Sequence, residues 1–146
     1  MLKEKSLNLG AGTKPDFSPI FDDFPNCHGD LISIARDEGW QGLLDFVIRE
    51  CGVTYDDILE VRLEGMDKYS RDNWKLSLGT EHHDEFYTQN KQSIYRHIAK
   101  YLQGEIRDSE SKRGVKHLAC VALRAMMAIE YDLHGQKAEG ADYDSI

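Results

Sequence analysis

Apolar residues recur at intervals of three and four along much of the chain, which is the spacing of one face of an α-helix. The segments with this pattern are marked by Leu31, Ile34 and Ala35, by Leu43, Leu44, Val47, Ile48 and Cys51, by Ile58, Val61, Leu63 and Met66, and by Ile94, Ile98, Tyr101 and Leu102. A further segment, from about Gly114 to His134, is apolar almost all round between residues 118 and 129. No convincing strand-like alternation occurs. The sequence therefore predicts an all-α helical bundle.

Glycines and a capping pair mark the predicted helix ends. The helices are predicted to end at Gly39, Gly52, Gly104 and Gly135. Thr54 is predicted to cap the start of a helix, because Asp57 stands at the capping-box position three residues later. Residues 70–88 are polar and are predicted to be irregular.

The chain divides into three predicted parts. Residues 1–28 contain all three prolines and form an N-terminal arm, which we expect to lie across the body or across a neighbouring subunit. Residues 29–134 form the helical domain. Residues 135–146 are polar and acidic, which predicts a flexible tail. Because the last helix is apolar on most sides, it is predicted to be buried in the bundle or in a subunit interface. We therefore expect a homo-oligomer, either a dimer or a tetramer.

Charge and cysteine content narrow the classes of function. The net charge of −8 and the pI near 5.2 argue against binding to nucleic acid, which relies on basic side chains. An acidic protein binds a polyanion when metal ions bridge the like charges. The three cysteines form neither a disulfide pattern nor a zinc motif. With no signal peptide and no long apolar run, the sequence predicts a cytoplasmic protein without a membrane segment.

Two groups of carboxylates are candidates for metal binding. They are Asp57, Glu60 and Glu64 on one face of a predicted helix, and Glu105, Asp108 and Glu110 in the loop after another helix. Carboxylates this close repel each other, so they are either screened by solvent on an acidic surface or bound to a cation. Mg²⁺ and Mn²⁺ prefer such oxygen ligands and leave positions open for water and phosphate.

Cationic and aromatic side chains near these groups have two interpretations each. Lys68, Arg96 and Arg124 either donate hydrogen bonds to phosphate oxygens or are partners in surface ion pairs. Asn73 and Trp74 either contact a nucleotide base or, for Trp74, cover the core.

Two histidines stand in predicted helices. His97 and His117 stand beside apolar neighbours, which is typical of hydrogen-bonded histidines rather than metal ligands. The GxxxxGK[ST], GxSxG and HExxH motifs are absent, so P-loop, serine-hydrolase and zincin chemistry have no support in the sequence.

Several short motifs together resemble one enzyme family. Residues 65–74 resemble its G-x-x-K-Y-x-x-x-N-W signature. The later motifs R-H, G-E, D-x-E-S and H-L-A are matched in order at 96–97, 104–105, 108–111 and 117–119. The family is that of the dATP/dGTP diphosphohydrolases, which include the MazZ enzymes of phages that replace adenine with 2-aminoadenine. They are distant relatives of the MazG-type all-α nucleotide pyrophosphohydrolases.

The resemblance covers roughly residues 55–134 and departs from the family at three positions. Asp57 stands where glutamate is expected, Cys120 where a histidine is frequent, and Arg124 where asparagine is frequent. The first change keeps a carboxylate. The other two are expected to alter the nucleotide preference or to move a ligand near Cys120.

The resemblance implies a metal-dependent pyrophosphohydrolase that converts dGTP or dATP to the monophosphate and pyrophosphate. It implies two or three Mg²⁺ or Mn²⁺ ions, which clamp the phosphates and activate a water molecule. The implied ligand pool is Asp57, Glu60, Glu64, Glu105 and Asp108. Glu110 is implied as a ligand or as the base that orients the water, with Lys68 and Arg96 as the other catalytic residues.

The implied substrate contacts complete this hypothesis. They are Asn73, Trp74, Arg124, His97 and His117. In a phage, the product dGMP would supply 2-aminoadenine nucleotide synthesis in the host cytoplasm. Two alternatives stay open. One is a non-catalytic helical interaction module, in which the acidic residues face solvent and the last helix binds a partner. The other keeps the scaffold but is a phosphohydrolase that acts at a different phosphorus and releases phosphate rather than pyrophosphate.

Overall fold

The computed structural model describes residues 14–135 and is helical throughout, with no strand in that range. Its helices are α1 (Ser18–Phe21), α2 (Asp30–Arg49), α3 (Tyr55–Lys68), α4 (His83–Leu102) and α5 (His117–Gly135). The predicted all-α bundle is therefore confirmed. The tail at 136–146 and the first part of the arm lie outside the described residues. None of the described helices has the length and apolar content needed to cross a membrane.

Helix α5 lies at the centre of the bundle, and α2, α3 and α4 all pack against it. Its buried apolar residues are Leu118, Ala119, Cys120, Val121, Ala122, Leu123, Ala125, Met127, Ala128 and Tyr131. This confirms that the last predicted helix is buried on most sides. Because one chain supplies the cover, the apolar character of α5 does not by itself require a second subunit, and the homo-oligomer stays a prediction.

Helix α2 turns sharply at Gly39, where φ is 75° and ψ is −170°. A residue with a side chain rarely adopts this conformation, which explains why glycine stands at the predicted break. The helix resumes at Trp40, whose indole Nε1 donates a hydrogen bond of 2.7 Å to the Tyr87 hydroxyl on α4. Both halves of α2 reach the core, since Leu31 and Val47 are buried.

The predicted cap of α3 is confirmed. The Thr54 hydroxyl accepts the Asp57 backbone N–H at 3.1 Å, and the Asp57 carboxylate accepts the Thr54 backbone N–H at 3.0 Å. Two backbone donors at the helix start are satisfied in this way.

Helix α4 begins at His83, inside the stretch at 70–88 that was predicted to be irregular. The extension is amphipathic, because Phe86 and Asn90 are buried about two turns and one turn, respectively, before Ile94. The polar Asn90 interrupts the apolar repeat, and this interruption hid the first turns of the helix. Acidic residues in the first turn, Asp84 and Glu85, favour a helix start through the helix dipole.

Helix α5 begins at His117, later than the predicted start near Gly114. Just before it, Lys116 forms an isolated antiparallel bridge with Arg107 instead. The Asp108 N–H donates to the Val115 carbonyl at 2.8 Å, and the His117 N–H donates to the Ile106 carbonyl at 3.0 Å. The chain between α4 and α5, residues 103–116, thus doubles back on itself. We call it the return loop.

The turn at Gly39 and the open helix position at Gly65 offer a matched test. A Cβ atom added at either glycine meets no atom within 4 Å, so only backbone conformation distinguishes the two sites. Gly39→Ala should lower the free energy of unfolding by about 1–3 kcal/mol, because φ is positive there. Gly65→Ala should raise it by about 0.5–1 kcal/mol, because alanine favours a helix.

Urea denaturation of both variants at pH 7 checks this expectation. Equal effects of the two substitutions would show that the Gly39 conformation carries no strain for alanine.

Candidate active site

A cavity of about 660 Å³ opens between α3, α4, α5, the return loop and the N-terminal segment. This volume is in the range of small-molecule sites. Most of the predicted site residues line it: Glu64, Lys68, Arg96, His97, Glu105, Asp108, Glu110, His117 and Arg124. The structure thus brings residues from three helices and one loop into one place.

The other predicted site residues are absent from the cavity lining: Asp57, Glu60, Asn73 and Trp74. Asp57 caps α3, and its carboxylate also accepts from the Lys116 ammonium at 3.0 Å. The Thr54 backbone hydrogen bond is the main cause of the lowered pKa of Asp57, and Lys116 contributes. Glu60 lies 3.3 Å from the Arg113 guanidinium. Both carboxylates therefore already have partners within the protein.

Asn73 and Trp74 do not line this cavity. Asn73 is buried in a short 3₁₀ turn, Asn73–Lys75. The Trp74 ring lies 6.2 Å from the Tyr131 ring, and the Tyr131 hydroxyl donates to the Trp74 carbonyl. Trp74 also borders a smaller cavity of about 380 Å³. In this conformation Trp74 covers part of the core, which was one of its two interpretations.

Glu64 joins α3 to the return loop. Its Oε1 accepts the Ser111 hydroxyl at 2.6 Å and the Arg113 backbone N–H at 2.9 Å. Burial works against ionisation of this carboxyl, but these hydrogen bonds and the charges of Lys68 and Arg113 outweigh it and lower its pKa. Glu64 is therefore an ionised carboxylate at neutral pH, with one oxygen committed to the return loop.

The return loop presents the second group of carboxylates to the cavity. Asp108 Oδ1 accepts the Glu110 backbone N–H at 2.9 Å, which fixes the local turn. Glu105 precedes them, and its Oε1 lies 2.6 Å from the Nε2 atom of His117. That hydrogen bond is the main cause of the lowered pKa of Glu105.

His97 and His117 form a hydrogen-bonded chain with Glu105. The two histidine Nδ1 atoms are 2.8 Å apart, so one carries the proton and the other accepts it. Because Glu105 accepts at Nε2 of His117, we assign a proton to that nitrogen. One donor atom each from His97, Asp108 and His117 lies within 4.8 Å of the others. Nitrogen and carboxylate donors at this spacing are able to hold a divalent metal ion.

This grouping was not predicted from the sequence, which assigned both histidines to hydrogen bonding or substrate contact. His97 lies near the end of α4 and His117 at the start of α5. The packing of α4 on α5 and the course of the return loop bring them together. Each histidine lies on a polar stripe of its own helix, but the spacing within one helix does not identify the stripe that faces it.

Basic side chains also line the cavity. Arg124 Nη1 donates to Asn90 Oδ1 at 3.2 Å, and the Asn90 amide donates to the Arg124 carbonyl at 2.9 Å. The Arg96 Nη1 atom is buried and has no hydrogen-bond partner among residues 14–135. Burial lowers the pKa of Arg96, and the nearby charge of Arg124 adds to this effect. Lys14, which the sequence did not single out, also lines the cavity.

Cys120 lines the cavity at the position where the resembled family frequently has histidine. Burial raises the pKa of its thiol to about 12. The group is therefore a neutral thiol at physiological pH rather than a ready metal ligand.

The burial of His97 gives a test by pH titration. Burial, followed by the charge of Arg124, lowers the pKa of His97 to about 3. In metal-free folded protein, the His97 ring signals in NMR spectra should stay constant between pH 8 and pH 5. The urea-unfolded protein is the control, because its imidazoles titrate near pH 6.5.

The same shift has a consequence for stability. Below about pH 6.5 the unfolded chain binds this proton and the folded chain does not, so the His97 contribution to stability is lost as the pH falls. A His97 titration with a midpoint above pH 5 would contradict the inferred neutral imidazole.

One protein family matches the part of the chain that supplies most of the lining of this cavity. The family model described as dATP/dGTP diphosphohydrolase, N-terminal, matches residues 53–141. That range includes α3, α4, the return loop and α5, and it excludes the N-terminal segment and α2. No curated protein and no solved structure matched the chain significantly.

Proposed function

Because the chain belongs to the dATP/dGTP diphosphohydrolase family, we propose that it hydrolyses dGTP, dATP or both to the monophosphate and pyrophosphate. The observation that carries the proposal is the mixed lining of the cavity, which contains carboxylates and histidines as well as arginines and lysines. A metal-bound triphosphate needs both kinds of group, because its ions bind acidic ligands while its oxygens bind basic ones.

The donor set fits Mg²⁺ or Mn²⁺. Glu64, Glu105, Asp108 and Glu110 line the cavity, and carboxylates are the preferred ligands of these ions. The close approach of His97, Asp108 and His117 adds nitrogen donors, which Mn²⁺ tolerates better than Mg²⁺ does. When bound, such ions neutralise phosphate charge and lower the pKa of a water molecule. Two or three ions stay a prediction from the family resemblance.

Side chains of the protein bind the phosphates and assist the attack of water. Lys68, Arg96 and Arg124 bind phosphate oxygens, which supplies the missing partner of the buried Arg96 Nη1 atom. Glu110 accepts the proton of the attacking water or orients it. The water oxygen bonds to the α-phosphorus, the bond to the bridging oxygen breaks, and pyrophosphate leaves.

The base of the nucleotide has aromatic neighbours in the cavity. Phe17 and Tyr69 line it, and both are only partly buried. Stacking on such rings is the usual way to hold a flat base. A contact with Asn73 or Trp74 stays a prediction that requires a conformation other than this one. Supply of dGMP for 2-aminoadenine synthesis in a phage is a further step that only the resemblance supports.

A homo-oligomer, dimer or tetramer, is also part of the proposal. On α3, Tyr55, Leu59 and Met66 have exposed fractions of 69%, 53% and 41%. Exposed apolar side chains on one element support an interface with a second copy.

Product analysis tests the enzyme class. Each of the four deoxynucleoside triphosphates is incubated with the protein and Mg²⁺ or Mn²⁺, and the products are resolved by ion-exchange chromatography. We expect monophosphate and pyrophosphate from dGTP or dATP. Release of single phosphate would indicate attack at another phosphorus. Survival of every triphosphate would favour the non-catalytic interaction module.

Asp108→Asn tests the carboxylate assignment in the same assay. Asparagine keeps an oxygen that accepts the Glu110 N–H, so the loop should stay folded, but it removes the charge that a metal ion needs. We expect turnover to fall about 100-fold or more. The matched control is Asp45→Asn, because Asp45 is exposed on α2 and accepts from Gln41 in a similar way at 3.1 Å. Full turnover of Asp108→Asn would exclude Asp108 as a metal ligand.

A further inference from the structure

The segment before α2 is fastened along α4. Phe21 is 4% exposed, and its ring meets the Tyr95 ring edge-on at 5.2 Å. The Tyr95 hydroxyl donates to Asp22 at 2.6 Å, and the Lys91 ammonium lies 3.2 Å from the same carboxylate. Burial and the Asp22 hydrogen bond raise the pKa of the Tyr95 hydroxyl well above its usual range, so it remains a donor. These contacts set the course of the chain immediately before α1.

That course takes residues 14–17 over the cavity. Lys14, Pro15 and Phe17 all line it, although they lie far from the other lining residues in sequence. Asp16, between them, accepts the Ser18 backbone N–H at 2.9 Å and lies 3.5 Å from the Gln92 amide on α4. Lys14 is exposed and therefore stands at the mouth of the cavity, where solvent and a ligand both have access.

Lys14 joins a group of basic residues that line the same cavity. Besides burial, the charges of Arg96, Lys68 and Arg124 lower the pKa of Lys14, while Glu110 opposes them. Arg124 bonds to a neutral amide, and Arg96 Nη1 has no partner within residues 14–135. Like charges gathered at one cavity repel each other, so the arrangement is stabilised when an anion enters.

Two carboxylates of the same cavity are already engaged by other partners. Glu64 is held by Ser111 and by the Arg113 backbone, and Glu105 is held by His117. A ligand with several anionic oxygens is required to reach Lys14, Arg96 and Arg124 together. A polyphosphate chain has that chemistry.

We propose that Lys14 is a substrate-binding residue, which the N-terminal segment brings to the cavity mouth to bind the polyphosphate together with Arg96 and Arg124. The inference rests on the proposed function for the identity of the ligand, a nucleoside triphosphate. It goes beyond the family match, because residues 14–22 lie outside the matched range of 53–141. The arm thereby completes a site whose other parts the family model covers.

Calorimetric titration with inorganic tripolyphosphate in metal-free buffer tests the inference. This probe keeps the anionic oxygens and removes the base, the sugar and the hydrolytic reaction. Lys14→Ala should weaken binding about 10-fold, as expected for the loss of one charged hydrogen bond at a partly solvated position. Lys14→Arg should restore most of the affinity, because it returns the positive charge.

Lys75→Ala is the matched control. Lys75 is a lysine of the described surface outside this cavity, 3.6 Å from Asp72. Its removal changes the net charge by the same amount, so it corrects for general attraction of the polyanion. It should leave the affinity unchanged. Equal affinities of Lys14→Ala and wild type, equal losses in Lys14→Ala and Lys75→Ala, or a wild type that binds no tripolyphosphate would each overturn the inference.

The outcome is separable from that of the proposed function. If no triphosphate is hydrolysed but Lys14→Ala alone loses tripolyphosphate binding, the enzyme class fails and Lys14 still binds polyphosphate. If pyrophosphate is released and Lys14→Ala keeps the wild-type KM and tripolyphosphate affinity, the enzyme class stands and the role of Lys14 is wrong. A raised KM at nearly unchanged kcat is the expected result, because Lys14 binds substrate away from the reacting bond.

Discussion

The fold depends on covering α5 on nearly all sides. Ala119, Val121, Ala122 and Ala125 are fully buried, and they lie on different faces of the helix. Burial of apolar surface stabilises a fold by about 25 cal/mol per Å², so a helix of this kind is stable only when neighbours enclose it. Its small side chains allow those neighbours to approach closely. The turn in α2 at Gly39 belongs to this constraint, because residues on both sides of it pack into the core.

The candidate site lies where α5 and the helices around it face each other with polar side chains instead of apolar ones. On α5, His117, Cys120 and Arg124 follow one another at intervals of three and four and therefore share one stripe. Matching polar stripes run along the neighbouring helices. They are Glu64 and Lys68 on α3, and Asn90, Ser93, Arg96, His97 and Lys100 on α4. The cavity is the space where these three stripes face each other, and the return loop closes one end with its carboxylates.

This arrangement explains how far the sequence could predict the molecule. Helical periodicity, the capping pair Thr54 and Asp57, and the stop at Gly39 are local signals, and each was confirmed. The start of α4 was missed because the buried Asn90 looks like a surface residue in a hydropathy pattern. Its partner, Arg124, is 34 positions away. No rule of local spacing connects the two.

Local sequence signals predict the candidate site even less completely than they predict the fold. Residue types and motifs identified the acidic and basic side chains, and the bundle collects most of them around one cavity. Asp57 and Glu60 share a helix face with Glu64 in the expected way, yet ion pairs with Lys116 and Arg113 engage them outside the cavity lining. Sequence spacing gives the face of a helix, but it does not give the charge of whatever packs against that face.

The charges gathered at the cavity connect its acidic and basic residues. The chain as a whole carries a net charge of −8, yet Lys14, Lys68, Arg96 and Arg124 line this cavity together with four carboxylates. The charges of Arg96, Lys68 and Arg124 act on Lys14, and Glu110 opposes them. Like charges held at one cavity repel each other, whether they are basic or acidic. A ligand that carries both divalent cations and phosphate oxygens relieves both repulsions at once. The proposed substrate and the proposed role of the arm therefore follow from one property of the cavity, its high content of charges of both signs.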